Sequence, residues 1–272
     1  MTSILNNVAA LGASRQLGIT GQGLNQTIER LTTGRRINRA SDDAAGLGIS
    51  NRLGADIRIA GQGKRNANDG ISYLQVADGV LEEVTNLLTR AAELTEQAKT
   101  GTISDSNRVN LDAEFQNIIK SLADIGQNTK FNGAAVYTAT SVSVSVGTFS
   151  AVTITVGTIS SSSSNALGLT AVTDSLTTVG AATAVSAKIG AALDSVSSIR
   201  ASLGAAEQQL TAVADSLGIQ VENFTAAYSQ IRDANIADEV VNLTKYQILN
   251  QSGTSALSQA NQASQQILAL LR

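Results

Sequence analysis

Apolar residues recur at steps of four and three near both ends of this chain, and no proline interrupts them. At the N-terminal end Leu17, Gly21, Leu24, Ile28 and Leu31 keep that step, after Ile4, Val8 and Leu11. At the other end it runs through Ile236, Val240, Leu243, Tyr246, Leu249, Gly253, Ala256, Ala260, Ala263, Ile267 and Leu270. This spacing puts one narrow apolar stripe on an amphipathic helix. A lone helix with one stripe gains little in water. Each terminal helix therefore needs a partner, either its counterpart at the other end or another copy of the chain.

The elements between them follow from local signals. Gly34 is placed to end the first helix as its C-terminal cap. Ser41 followed by Asp42 and Asp43 reads as an N-cap with acids in the first turn, opening a helix over 42–99. Its stripe is clearest at Ile71, Leu74, Ala77, Leu81, Val84, Leu88 and Ala91, and Asn68-Asp69-Gly70 is its weak point. Leu111, Phe115, Ile118, Leu122 and Ile125 mark a third helix. A long stripe from Ile189 through Leu217 to Ile231 predicts a rod-like helix of roughly 65 Å at 1.5 Å per residue.

The middle differs. Between Lys130 and Lys188 the only charged residue is Asp174. Val142, Val144 and Val146 alternate with serines, and Val152, Ile154 and Val156 with threonines, across Gly147 to Ser150. Two such runs read as a β-hairpin. Ser160, Ser161, Ser162, Ser163 and Ser164 form a serine tract, a candidate for O-glycosylation beside its plainer reading as a solvated loop. The fold class is thus mainly α, with long antiparallel coiled-coil-like helices from both ends and a small central hairpin.

Composition excludes several kinds of function. The chain has no cysteine and no histidine, which removes a disulfide framework, a thiol nucleophile and the commonest acid–base residue. No catalytic, cofactor or metal site is expected. A net charge of −3 gives no electrostatic footprint for nucleic acid. No stretch reaches the roughly 18 apolar residues of a membrane span. Met1 to Asn7 lacks a basic opening and a long apolar run, unlike a cleaved signal. Gly21-Gln22-Gly23 and Gly61-Gln62-Gly63 follow no strand and are not dinucleotide loops. Asp42-Asp43 and Glu82-Glu83 read as helix capping and solvation.

Several segments resemble bacterial flagellins. These are Glu29 to Asn38, Ser41 to Gly46, Arg65-Asn66-Ala67-Asn68-Asp69-Gly70-Ile71-Ser72, Thr129-Lys130-Phe131-Asn132-Gly133, Ile248 to Gln262 and the terminal Leu270-Leu271-Arg272. The resemblance covers about 1–135 and 185–272, in order. It implies a structural subunit of the flagellar filament. It also implies that the termini (1–40 and 233–272) pair as an inner helical domain and that 41–136 with 184–232 form a rod domain. The short region 137–183 is then variable. A hook–filament junction protein, which shares the paired termini, is the alternative.

The same resemblance implies secretion to the cell exterior without signal cleavage, and an unbroken helix through Asn68-Asp69-Gly70. The implied partners are further copies of the chain, the flagellar export apparatus and its chaperone, and the filament cap and hook-associated proteins. Leu17, Leu24, Ile28, Leu31, Leu243, Leu249, Ala256, Ala260, Ile267 and Leu270 are the residues expected on the assembly seam. Arg90, Leu94 and Glu114 match positions that host innate immune receptors recognise in the family. The middle, with its hairpin, is expected to be dispensable for assembly, since the long seams lie outside it.

Overall fold

The computed structural model describes residues 7–138, 141–147, 151–156, 159, 168–169 and 174–270, with the side chains of 264 and 267–270 excepted. The serine tract at 160–164 lies outside the described residues. Five helices carry the fold: α1 (Val8–Thr33), α2 (Ala44–Lys99), α3 (Asp105–Asn128), α4 (Val179–Arg232) and α5 (Ile236–Leu270). Four short strands form two antiparallel hairpins. β1 (Lys130–Phe131) pairs with β2 (Ala134–Ala135), and β3 (Val142–Val144) with β4 (Val152–Ile154).

Local chemistry accounts for the helix ends. Asn7 caps α1, its side chain accepting from the Ala10 amide at 3.0 Å. Gly34 ends α1 in the left-handed region at φ 67°, as its position suggested. The start of α2 departs from expectation. Asp43, not Ser41, caps it, with Oδ1 accepting from the Gly46 amide at 2.8 Å. Asp42 instead closes the preceding turn, accepting from the amides of Asn38 and Arg39. Those two bonds hold its carboxyl below the ordinary aspartate value. The cap thus falls two residues later than the Ser41 signal.

The chain divides into two compact units, Met1–Ile57 with Glu222–Arg272, and Arg58–Val221. These boundaries lie inside α2 and α4, where the sequence reading divided the chain at 40 and 233.

The second unit holds the apolar core. α2 and α4 run antiparallel there: Gln75 bonds Glu207, Asp78 pairs with Arg200, and Glu96 meets Ser186. α3 folds back on α2, with Arg108 on the Ala98 carbonyl beside the turn and Arg90 on Glu114 further along both helices. Arg108 is buried because it finishes α2, donating to the carbonyl of Ala98 in its last turn and to that of Thr100 just beyond it. Leu74, Leu81, Leu88, Phe115, Ile119, Ile189, Val196, Leu203 and Leu210 pack into one cluster between the three helices.

The central hairpin belongs to that cluster. Val146, Val152, Ile154, Val156 and Ile159 are buried in it, while Val142 and Thr153 face out. Two glycines of α2 permit the close approach. A Cβ on Gly63 would lie 2.9 Å from the carbonyl oxygen of Val146, and one on Gly70 would lie 3.0 Å from side-chain atoms of Leu210 and Val144. Gly70 therefore makes room for packing, and α2 continues unbroken through it. The β1–β2 hairpin had no expectation behind it. Asn132 and Gly133 both take positive φ, the two-residue turn that suits strand twist. Tyr73 and Tyr137 fasten this stretch to α2: the Tyr73 hydroxyl donates to the Val136 carbonyl and the Tyr137 hydroxyl to that of Ala77. Burial raises the pKa of both phenols, so both stay protonated donors.

Candidate assembly surface

In the first unit α1 lies antiparallel on α5. Asn7 Nδ2 donates to the Ala260 carbonyl at 3.0 Å, Leu17 lies over Gly253, Tyr246 over Gly23, and Arg30 pairs with Glu239 at 3.3 Å. The face of α1 turned inward carries Ala10, Ala13, Leu17, Thr20, Leu24, Thr27 and Leu31, of which Thr20 and Thr27 are the most buried. On α5 it carries Glu239, Leu243, Tyr246, Asn250, Gly253, Leu257 and Ala260. Both sets keep the coiled-coil step of three and four.

This splits the expected seam in two. Leu17, Leu24, Leu31, Leu243 and Ala260 are half-buried in the α1–α5 pair. Ile28, Leu249 and Ala256 are exposed on outer faces, Leu249 by 40%. The side chains of Ile267 and Leu270 lie outside the described residues. Reading along the chain favoured Gly21 and Ile28 where the pair buries Thr20 and Thr27. Thr20 escapes a polarity argument because its hydroxyl donates back to the Gln16 carbonyl at 2.8 Å, so it can sit in a seam.

The burial in this unit is thin. Every residue of the buried apolar cluster falls in the second unit, from Ala60 to Leu217. Among the described residues of the first unit, the apolar side chain that is buried is Ile37, at 1% exposure. Val8, Leu11, Ile19, Ile28, Ile49, Ile236, Val240, Val241, Ile248 and Leu249 all remain exposed. Large apolar surface without intramolecular cover marks an interaction site.

The connections between helices in this unit are joined. Arg36 N donates to the Arg232 carbonyl at 2.7 Å, Ala234 N donates to that of Gly34 at 3.0 Å, and Arg35 bridges Asp233. Glu239 sits 7% exposed beside them, and its Oε2 has no hydrogen-bond partner among the described residues. Only one register places Arg30 on this carboxylate, so the pair helps to fix how α1 meets α5.

Gly23 offers a direct check on that register. A Cβ there would lie 2.7 Å from the Tyr246 ring, so a larger residue must push the ring aside. Gly23→Leu is expected to cost about 1–3 kcal/mol of α1–α5 pairing, as overpacking does. Tyr246→Ala in the same chain should recover most of it. Melting of the terminal helices by circular dichroism would read both effects, and equal melting of the single and double variants would refute the contact.

In the second unit, Arg90 and Glu114 do come together, with Arg90 Nη2 donating to Glu114 Oε1 at 2.7 Å and Glu93 on the other side. These bonds raise the Arg90 pKa. Leu94 does not join them at the surface: it is 1% exposed, in the core.

No described helix is long and apolar enough to cross a membrane. The model of the bacterial flagellin N-terminal helical region matches residues 4–141, and that of the C-terminal helical region matches 186–271. A flagellin of Halalkalibacterium halodurans is 37% identical over 274 residues, covering 99% of both chains. A 33 kDa flagellar filament core protein of Treponema phagedenis is 35% identical over 285 residues, again with 99% of each chain covered. Flagellin FlaB1 of Treponema pallidum is 34% identical over 285 residues, with the same coverage.

Proposed function

The chain belongs to the bacterial flagellin family, and from that premise we infer that α1 and α5 build the filament by covering their outer apolar faces with other copies. It is a structural subunit of the flagellar filament, exported to the cell exterior and serving motility. The observation that supports the finer reading is the imbalance of burial: the second unit holds the whole buried apolar cluster, while the first leaves ten large apolar side chains exposed and buries Ile37. A helix pair so thinly buried gains little to offset its ordering entropy. Added copies would supply the missing cover. Residues 1–40 and 233–272 then act as the inner, assembling part, and 41–136 with 184–232 as the rod.

Hydrogen exchange on free subunit and filament tests this. Amides of α1 and α5 are expected to exchange fast in the free subunit and to gain protection of at least about a hundredfold on assembly, because local openings there cost little. Amides of α2 and α4 near Leu81 and Leu203 should be protected in both. Strong protection of α1 in the free subunit would overturn the reading.

The export apparatus, an export chaperone, the filament cap and the hook-associated proteins are the further partners we assign from the family. For host innate receptors, support rests on the exposed Arg90–Glu114 pair, with Leu94 beneath it. We assign no catalytic role, in keeping with a sequence that lacks histidine and cysteine.

A further inference from the structure

The tight turn between β1 and β2 is the one place in this chain where asparagine precedes glycine. Asn132 sits at φ 49° and Gly133 at φ 81°, and both residues are exposed. The side-chain amide of Asn132 has no hydrogen-bond partner among the described residues, and neither has the N–H of Gly133. A Cβ on Gly133 would meet nothing within 4 Å, so water has open access to the turn. The Gly133 nitrogen and the Asn132 Cγ are the two ends of a five-atom stretch of chain, and nothing else engages either group.

Comparable sequences elsewhere are held shut. Glycine follows aspartate at Asp69-Gly70 and Asp78-Gly79, but both pairs lie inside α2, where the glycine N–H belongs to the helical ladder. Arg200 engages the Asp78 carboxylate as well. Asn38 is followed by an amide that Asp42 already holds. The β1–β2 ladder, in contrast, has just two residue pairs, Lys130 with Ala135 and Phe131 with Ala134. So short a ladder opens locally at small cost, while α2, α3 and α4 stay packed.

We propose that Asn132 is a site of spontaneous deamidation, with the Gly133 amide as nucleophile and water as co-reactant, and that its isoaspartate product undoes the β1–β2 turn. The Gly133 nitrogen bonds to Asn132 Cγ and gives up its proton to the departing nitrogen. The Cγ–Nδ2 bond breaks, ammonia leaves, and a five-membered succinimide remains. Water then adds to one ring carbonyl and breaks its bond to the ring nitrogen. Addition at Cγ leaves aspartate. Addition at the main-chain carbonyl leaves isoaspartate, whose peptide link runs through Cγ. No oxidant or reductant takes part. The isoaspartate link adds one carbon to the main chain of a turn whose two-residue length sets the strand register. Phe131, edge-on to Tyr73 at 5.6 Å, then loses its seat. Either product also puts a carboxylate into the cleft that Asn132 shares with the exposed Asp69. This chemistry needs only the folded chain and water, and is independent of filament growth.

The test incubates the full-length chain at mildly alkaline pH and follows each asparagine by peptide mass spectrometry, with isoaspartate and aspartate forms separated by chromatography. Asn132 is expected to convert about tenfold or more faster than asparagines inside the helices, whose following amides must first open. Gly133→Ala adds a Cβ beside the attacking nitrogen and should slow conversion by about tenfold, with circular dichroism checking its fold. The isoaspartate form of the chain should unfold at lower urea than Asn132→Asp, which carries the same charge on an unaltered main chain. Conversion of Asn132 no faster than that of the helical asparagines, a comparison that needs no variant, would overturn the site. An unchanged rate in folded Gly133→Ala would overturn the nucleophile. Equal urea midpoints for the isoaspartate form and Asn132→Asp would overturn the loss of the turn.

Discussion

Leu249→Asp is expected to abolish filament formation while leaving the subunit folded. The side chain is 40% exposed on the outer face of α5, beside Ile248, so in the free subunit the carboxylate stays in water. Under the proposed assembly that face is covered by other copies, and the carboxylate would lose water without gaining a cation. Burying an unpaired charge costs several kcal/mol. At about 1.4 kcal/mol per factor of ten, even 3 kcal/mol per subunit raises the concentration needed for growth more than a hundredfold. Gln259→Glu, on an exposed polar position of the same helix, should be far milder. Electron microscopy, sedimentation and a swimming assay measure the outcome. Normal filaments from Leu249→Asp would mean that this face stays wet after assembly.

The second large effect falls on the middle of the chain. Replacing 141–159 by a short polar linker is expected to strip the second unit of Val146, Val152, Ile154, Val156 and Ile159, all buried in its core. At roughly 1.5–3 kcal/mol for each buried aliphatic side chain, the loss is about 7 kcal/mol or more. That rivals the entire stability of about 5–15 kcal/mol typical of a folded domain. Urea unfolding monitored by circular dichroism should show the midpoint collapse. An unchanged midpoint would show that α2, α3 and α4 hold together without the hairpin. The sequence alone suggests only that the middle is dispensable for assembly, because the hairpin lies outside the helical seams, and it says nothing of this loss of core. Alternation at Val152, Ile154 and Val156 announced a buried face, but not what that face was buried against. The answer lay in Gly63 and Gly70, whose missing side chains make the space and which locally look like breakers.

The same pattern of success and failure runs through the rest of the molecule. Long helices were legible because a step of four and three, repeated many times, matches the 3.6-residue turn and no strand period, and Gly34 marked an end by its freedom at positive φ. The cap of α2 was misplaced by two residues because Ser41, Asp42 and Asp43 are all competent caps, and only the turn geometry decides among them. The inner face of α1 was misread by one residue because Thr20 and Thr27 conceal their contribution behind a hydroxyl, while Ile28 advertises an apolar side chain that the subunit leaves outside. For a chain with unpartnered surface, hydrophobicity alone does not separate a residue for its own core from one for its neighbours. Arg90 and Glu114 could be brought together only by the return of α3 along α2, which no spacing in sequence specifies.

The pairing of α1 with α5 also governs the order in which the chain can fold. Asn7 bonds the Ala260 carbonyl across 253 positions of sequence, and Arg30 reaches Glu239 across 209. α2 meets α3 through contacts as near as Arg108 to Ala98, ten positions apart. Contacts between distant residues form late because a long loop must close first. For a chain delivered one end at a time, the delay is absolute. Whichever end arrives first, its helix waits without its partner until the last residues follow. The neighbours of that helix in sequence can meanwhile collapse into their own core. The first unit is therefore the last to close, at the moment when delivery ends, so a chain still in transit is withheld from polymerising by its own topology.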